Sequence, residues 1–156
     1  MSSEKVYSQI VQLVKQAFDL ARSVGIQNLL QPGLVKEMVI ADILGHEVIT
    51  SKRLADARHP DHPHITYEYL TCKEGGSGQF DKMFKYPPEK REQSLNRIRR
   101  NNKVYLAIFY AENQMEVKVI YELEPTVVEA EATRRLDRSS NDISHISFTE
   151  KWARAI

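Results

Sequence analysis

At 156 residues the chain can bury a core of its own, and its 42% hydrophobic and 28% charged residues are those of a globular domain, not of a disordered or fibrous chain. Its 22 Lys and Arg against 21 Asp and Glu give a net charge of +1, which excludes a uniformly basic or acidic surface. The one cysteine, Cys72, excludes an intrachain disulfide and a cysteine-rich zinc site, and no apolar run approaches the ~20 residues of a membrane span.

Met1–Lys5 lacks the apolar stretch of a signal peptide, so a single cytoplasmic domain over residues 1–156, with no membrane partner, is expected. From Glu4 to Val24 apolar residues recur at helical spacing and Gly25 offers a stop. This long amphipathic helix either packs on the core or forms a contact between two subunits. Pro32-Gly33 opens a second helix whose buried stripe is Leu34, Val35, Met38, Ala41, Ile43 and Leu44, with Lys36 and Glu37 outside it and Gly45 at its end.

Strands are expected over Glu47–Arg53 and Ile65–Cys72, over the strongly apolar and therefore central Lys103–Tyr110, and over Gln114–Leu123. The Gly- and Pro-containing stretch Lys73–Pro88 reads as the main irregular loop. Pro125–Leu136 is helical with Pro at its start, Ser144–Phe148 is a short strand, and Thr149–Ala155 is a turn or helix. The order predicts an α+β (mixed α/β) fold with one mixed central sheet flanked by helices.

The chemistry centres on Asp56-Ala57 and, shortly after, on Tyr67-Glu68-Tyr69. Alternation along a strand puts Glu68, Leu70 and Cys72 on one face and Tyr67, Tyr69 and Thr71 on the other. A carboxylate in so apolar a strand is costly unless paired or metal-bound; the alternative is an edge-strand charge facing water. Two carboxylates so spaced can hold a hard divalent cation. His59, His62 and His64 lie in a stiff loop with Pro60 and Pro63, which suits a solvated or phosphate-approaching segment better than a zinc site. A nucleophilic pair of Cys72 and His64 is disfavoured, because a mid-strand cysteine is normally an inert core residue.

These residues resemble the PD-(D/E)XK nucleases, and within that family its small type II restriction endonucleases. The likeness extends to Leu20-Ala21, Gly25-Ile26-Gln27, Leu106–Tyr110, Ile120–Pro125 and Ile146-Ser147-Phe148, in the same order and over most of the chain. It implies a restriction-endonuclease-like domain with Asp56 and Glu68 as catalytic Mg²⁺ ligands, the backbone carbonyl of Tyr69 as a further ligand, and Glu37 as a last one; read alone, Glu37 is a solvated helix charge.

The family's lysine falls at Leu70, which can neither orient a water nor stabilise charge. Three outcomes are open: Lys73 returns through a bulge and serves as the catalytic ammonium, Lys36 takes the role, or the protein binds DNA with little cleavage. Between Lys82 and Lys103 eight Lys or Arg stand against two Glu. This reads as a solvated helix face or as a DNA track in which Lys82, Lys85, Arg97, Arg99 and Arg100, beside Asn96, Asn101 and Asn102, meet phosphates and base edges. Gln79, Asn141 and His145 are the candidates for base readout.

The expected activity is Mg²⁺-dependent hydrolysis of double-stranded DNA at a short specific sequence by a homodimer, since a palindrome demands two-fold symmetry in its reader. The alternatives are a non-cleaving DNA-binding module on the same fold and a structure-specific repair nuclease.

Overall fold

A computed structural model of the chain describes residues 2–51 and 54–156, in two compact units, 1–35 and 36–156. In the first unit helix α1 spans Ser3–Ser23. The Ser2 side chain accepts from the Lys5 amide at its start, and Gly25, at φ 85°, lets the chain leave in the left-handed region, with the Ile26 amide donating to the Ala21 carbonyl. Ala21, Ile26, Leu29 and Leu34 are buried.

Helix α2, Leu34–Leu44, runs across the boundary into the second unit. Its buried residues are Leu34, Ile40 and Ala41, while Ile43 is exposed, contrary to the expected stripe. The reason is local: α2 is apolar on nearly every side, so its sequence carries no directional signal.

The second unit is built on a five-stranded mixed sheet in the order β1-β2-β3-β5-β6: Glu47–Val48, Ala57–Arg58, Thr66–Lys73, Lys103–Phe109 and Val117–Leu123. The architecture is α+β. Of the strand expected over Glu47–Arg53, only Glu47–Val48 forms; Lys52 and Arg53 lie outside the described residues. β3 and β5 pair in parallel, from Tyr67 opposite Lys103 to Lys73 opposite Phe109, and every other pair in the sheet is antiparallel.

Alternation then builds two cores. Leu70, Cys72, Val104, Leu106 and Ile108 face one side with Leu95 and Ile98 of helix α3 (Pro88–Arg99) and Val128, Ala132 and Leu136 of helix α4 (Pro125–Arg138). Tyr67, Tyr69, Tyr105, Ala107 and Phe109 face the other side with Ile40 and Ala41 of α2.

Lys73–Pro88 is not an irregular loop: Ser77–Phe84 forms strand β4, which pairs antiparallel with β7, Ile143–Thr149, as a separate two-stranded ribbon. The terminal helix α5 follows over Glu150–Ala155. The β4–β7 register shifts between Phe80 and Met83, and within that bulge Lys82 adopts a φ of 53°. Gly78 is what lets the ribbon approach the sheet. A Cβ there would stand 2.7 Å from Leu70 Cβ and 3.1 Å from Leu106 Cδ1. Gly78→Ala is therefore expected to destabilise the protein by about 1–3 kcal/mol through overpacking. Urea denaturation measures this, and an unchanged midpoint would refute the close packing.

Among the described residues no helix is long and apolar enough to cross a membrane.

Candidate active site

Asp56 stands immediately before β2, with both its backbone groups held. Its amide donates to the Tyr67 carbonyl at 3.2 Å, and its carbonyl accepts from the Ile49 amide at 2.8 Å. Ala57 pairs with Tyr67, which brings Asp56, the residue just before β2, beside Glu68, and the two carboxyls perturb each other. Alternation along β3 puts Glu68 on the face of Leu70 and Cys72. The Tyr69 amide donates to Asp56 Oδ2 at 2.8 Å, which orients the carboxyl along the sheet. Amide and carbonyl of one strand residue point to the same side, so the Tyr69 carbonyl belongs to this edge as well.

Glu37 of α2 stands beside Asp56, and Asp56 beside Glu68, so each carboxyl acts on the next. Although Glu37 falls outside the apolar stripe, it is half-buried and turned to this cluster. Burial, and then the neighbouring Asp56 carboxyl, push Glu37 up to about 8. Burial also raises Asp56, against the hydrogen bonds from Glu68 and the Tyr69 amide and the nearby charge of Arg100. Glu68 is raised well above the ordinary carboxyl range, by burial first and by Asp56 second, while Arg100 and Arg97 pull it down. Three acids crowded into a poorly solvated space are shifted toward their neutral forms, since burial and like charge disfavour the carboxylate.

Glu68 Oε2 is buried with no hydrogen-bond partner. An unsatisfied carboxylate oxygen in a group of hard oxygen donors is what a divalent cation such as Mg²⁺ would satisfy. Among the described residues no three His, Cys, Asp or Glu side chains are arranged around one point as a metal-holding group. The donor set that fits is therefore the Asp56–Glu68 pair with the Tyr69 carbonyl. Mg²⁺ commonly binds in this way, through one or two carboxylates with the remaining positions taken by water or phosphate.

On the opposite face the Tyr69 hydroxyl and His46 Nδ1 are 2.6 Å apart, and His46 stacks on Tyr67 with ring centroids 3.7 Å apart. Burial, then the neighbouring His59, lower the affinity of His46 for a proton, which favours the neutral ring. The pair fixes the strand residue whose amide holds Asp56.

The bulge that would bring Lys73 back is not formed. β3 and β5 stay in continuous register from Tyr67 to Lys73, so Lys73 leaves on the face opposite Glu68. It lies roughly 16 Å further along the strand at the usual strand rise. Leu70 is buried at 4% exposure beneath Gly78. Lys36 donates to Gln114 Oε1 at 3.3 Å and sits over the Phe109 ring, at the Lys73 end of the β3–β5 pair.

The cation that the fold brings to the acids is Arg100, which follows α3 as its C-cap and whose charge acts on both Asp56 and Glu68. Its placement is set by Asn101 and Thr66. The buried Asn101 amide donates to the Arg97 and Ile98 carbonyls, and the Thr66 hydroxyl bonds to Asn101 and to the Arg100 carbonyl. This ties the end of α3 to β3 two residues before Glu68. Asn101 is thus a structural clasp and not a base reader.

The other expected DNA contacts separate into two groups. Gln79, Lys82, Asn141 and His145 are exposed on the β4–β7 ribbon and the loop that enters it. Gln79 pairs with Ser147, so alternation along β7 puts it on the same face as His145. His145 Nδ1 lies 3.1 Å from Asp81 Oδ1 and 3.3 Å from the Lys82 amide, at the bulge.

Lys85, Arg97 and Arg99 instead have partners within the protein. Lys85 Nζ donates to the Ser139 carbonyl at 2.7 Å, where α4 ends. Arg97 donates to the Asp81 carbonyl at 2.6 Å, and Arg99 is paired with Glu129 at 2.6 Å and with Glu92. No family model matches the chain, and no curated protein matches it.

Proposed function

We propose that the protein is a Mg²⁺-dependent deoxyribonuclease of the type II restriction kind, hydrolysing a phosphodiester bond in duplex DNA at a short sequence, in the cytoplasm. What carries this reading is the burial of Asp56 and Glu68 beside one another, with the Tyr69 amide on Asp56 Oδ2 and Glu68 Oε2 buried and lacking a partner. Mg²⁺ bound there would lower the pKa of a water and neutralise the scissile phosphate.

The chain's own residues do the rest. The Tyr69 amide fixes the direction of the Asp56 carboxylate beside Glu68. Arg100 brings positive charge to the place where the phosphate gains negative charge during in-line attack, the role that Leu70 cannot fill. The ribbon offers Gln79 and His145 to base edges and Lys82 to the backbone, a two-stranded element of a width the major groove admits. A palindromic site would be met by two such subunits related by a two-fold axis.

The test is incubation of the purified chain with supercoiled plasmid and Mg²⁺, beside an EDTA control, followed by mapping of the ends. Discrete cuts that require Mg²⁺ are expected. Arg100→Ala should slow cleavage by about a hundredfold, the scale of one lost charge contact to a transition state, and Arg100→Lys should keep most of the rate. An unchanged rate in Arg100→Ala would remove Arg100 from the mechanism.

The burial of leucine where the family carries lysine favours a second reading, a DNA-binding module that does not cleave. Intact plasmid together with a salt-dependent gel shift would establish it.

A further inference from the structure

The tip of the β2–β3 hairpin, residues 59–65, carries three histidines that the chemistry at Glu68 leaves unused. Its backbone closes as two successive turns, each with proline in second place. The His62 amide donates to the His59 carbonyl at 3.3 Å across Pro60-Asp61, and the Ile65 amide donates to the His62 carbonyl at 2.9 Å across Pro63-His64. The His59 amide donates to the Ile65 carbonyl at 2.9 Å and shuts the neck. Proline fixes φ in both turns, so the tip holds its shape before anything binds. We propose that this tip is a phosphate site, in which ring N–H groups of His59, His62 and His64 hold a phosphodiester of the DNA backbone beside the one that is cut.

Three observations select that ligand. First, the turns gather the rings: the centroids of His59 and His62 are 4.8 Å apart, and those of His62 and His64 6.0 Å. A phosphate group accepts from several donors at such spacings, and a merely solvated loop has no need to bring its rings together. Second, the His59 ring is turned as a donor. Its Nδ1 accepts from the Asp61 amide at 3.1 Å, so the proton of the neutral ring sits on Nε2, on the side away from the turn. A metal ion would need a lone pair at that nitrogen, and among the described residues no three side chains of a metal-ligating kind surround one point.

Third, the tip stands close to the acids along the same hairpin. Asp56 lies three residues before His59 and Glu68 three after Ile65, about 10 Å at the usual strand rise. One duplex can touch both, and contacts to phosphates are what set a protein's register on DNA. Arg58, at the base of the tip, is paired with Glu47 at 2.7 Å, which leaves the imidazoles as the donors there. That the phosphate belongs to DNA rests on the nuclease reading; the phosphate site itself does not.

The test reads binding without cleavage. Fluorescence anisotropy of a labelled mixed-sequence duplex, with EDTA in place of Mg²⁺, should show affinity lowered about fivefold by His62→Gln or by His64→Gln, the scale of one net hydrogen bond. His59→Asn should do the same with an unchanged Tm, because its short amide side chain can still accept from the Asp61 amide. The triple variant should bind more weakly than any of the three. In proton NMR, inorganic phosphate should shift the ring signals of these three histidines and leave that of His46 in place. Equal duplex affinity in the wild type and the triple variant would overturn the tip and leave the nuclease reading standing. A wild type that ignores duplex but shows the phosphate shifts would sink the nuclease reading and make free phosphate the ligand. Ring signals unmoved by phosphate, or moved by Zn²⁺ instead, would overturn the site.

Discussion

Glu68→Gln is expected to lower Mg²⁺-dependent DNA cleavage by about a thousandfold or more, the scale of several kcal/mol of lost charge stabilisation. The same substitution is expected to leave the fold as stable as before, or more stable, above pH 7. Both effects come from one circumstance. The Glu68 carboxyl is driven toward its neutral form by burial and by Asp56, and one of its oxygens has no partner. A glutamine of the same shape carries no charge to bury and brings an amide that can donate to Asp56, yet it is a far weaker ligand for a hard cation.

A purely structural Glu68 would behave in the opposite way, since removing a stabilising charge lowers the unfolding midpoint and leaves cleavage untouched. Thermal melts and plasmid assays on the same preparation distinguish the two. Cleavage at the wild-type rate in Glu68→Gln would rule out the carboxylate as a metal ligand.

Without Mg²⁺ the protein should lose stability as the pH rises from about 5 to about 8, which is unusual for a chain of nearly balanced charge. Glu37 is held up to about 8 from an ordinary 4.5. Between those values the folded protein keeps a proton that the unfolded chain has released, so the stabilising contribution is complete below 4.5 and gone above 8. Asp56 and Glu68, raised as well, act with the same sign.

Glu37 is partly open to water, so its share is discounted to about 2 kcal/mol, or roughly a 5 °C fall in Tm across the window. Glu37→Gln should flatten the profile. Mg²⁺ should stabilise more at pH 8.5 than at pH 5.5, because at the lower pH it must displace protons to bind. A Tm that climbs steadily from pH 5 to pH 8 would show that the three acids are not proton-bound in the folded state.

Much of the central sheet is legible in the sequence because its strands are long and their burial is one-sided or complete. Val104–Phe109 is apolar at almost every position, as a strand covered on both faces must be, and it lies inside the sheet. The alternation of Tyr67 and Tyr69 against Glu68 and Leu70 is likewise local, and it separates the two cores correctly.

β4 is not legible, for an equally local reason. Its inward residues Gly78, Phe80 and Met83 break the period of two at the bulge, and glycines beside it imitate a loop. The expectation for Lys73 failed because nothing near it in sequence reports the parallel partner that holds the strand straight. Of the candidate site, Asp56 and Glu68 are visible as residues, but their proximity follows from the pairing of Ala57 with Tyr67. The approach of Arg100 follows from the Asn101–Thr66 clasp, a contact between segments 35 residues apart.

The parallel pairing of β3 with β5 has a further consequence. Parallel neighbours cannot be joined by a tight turn, so the chain has to travel from one end of the sheet back to the other before β5 can begin. Here residues 74–102 make that journey, and they contain both β4 and α3. The acids therefore stand on the permanent frame, while half of the β4–β7 ribbon and the helix that delivers Arg100 ride on an excursion whose length the frame does not dictate. If the proposed nuclease function holds, exchange of that excursion would alter which sequence is met while leaving Asp56 and Glu68 in place.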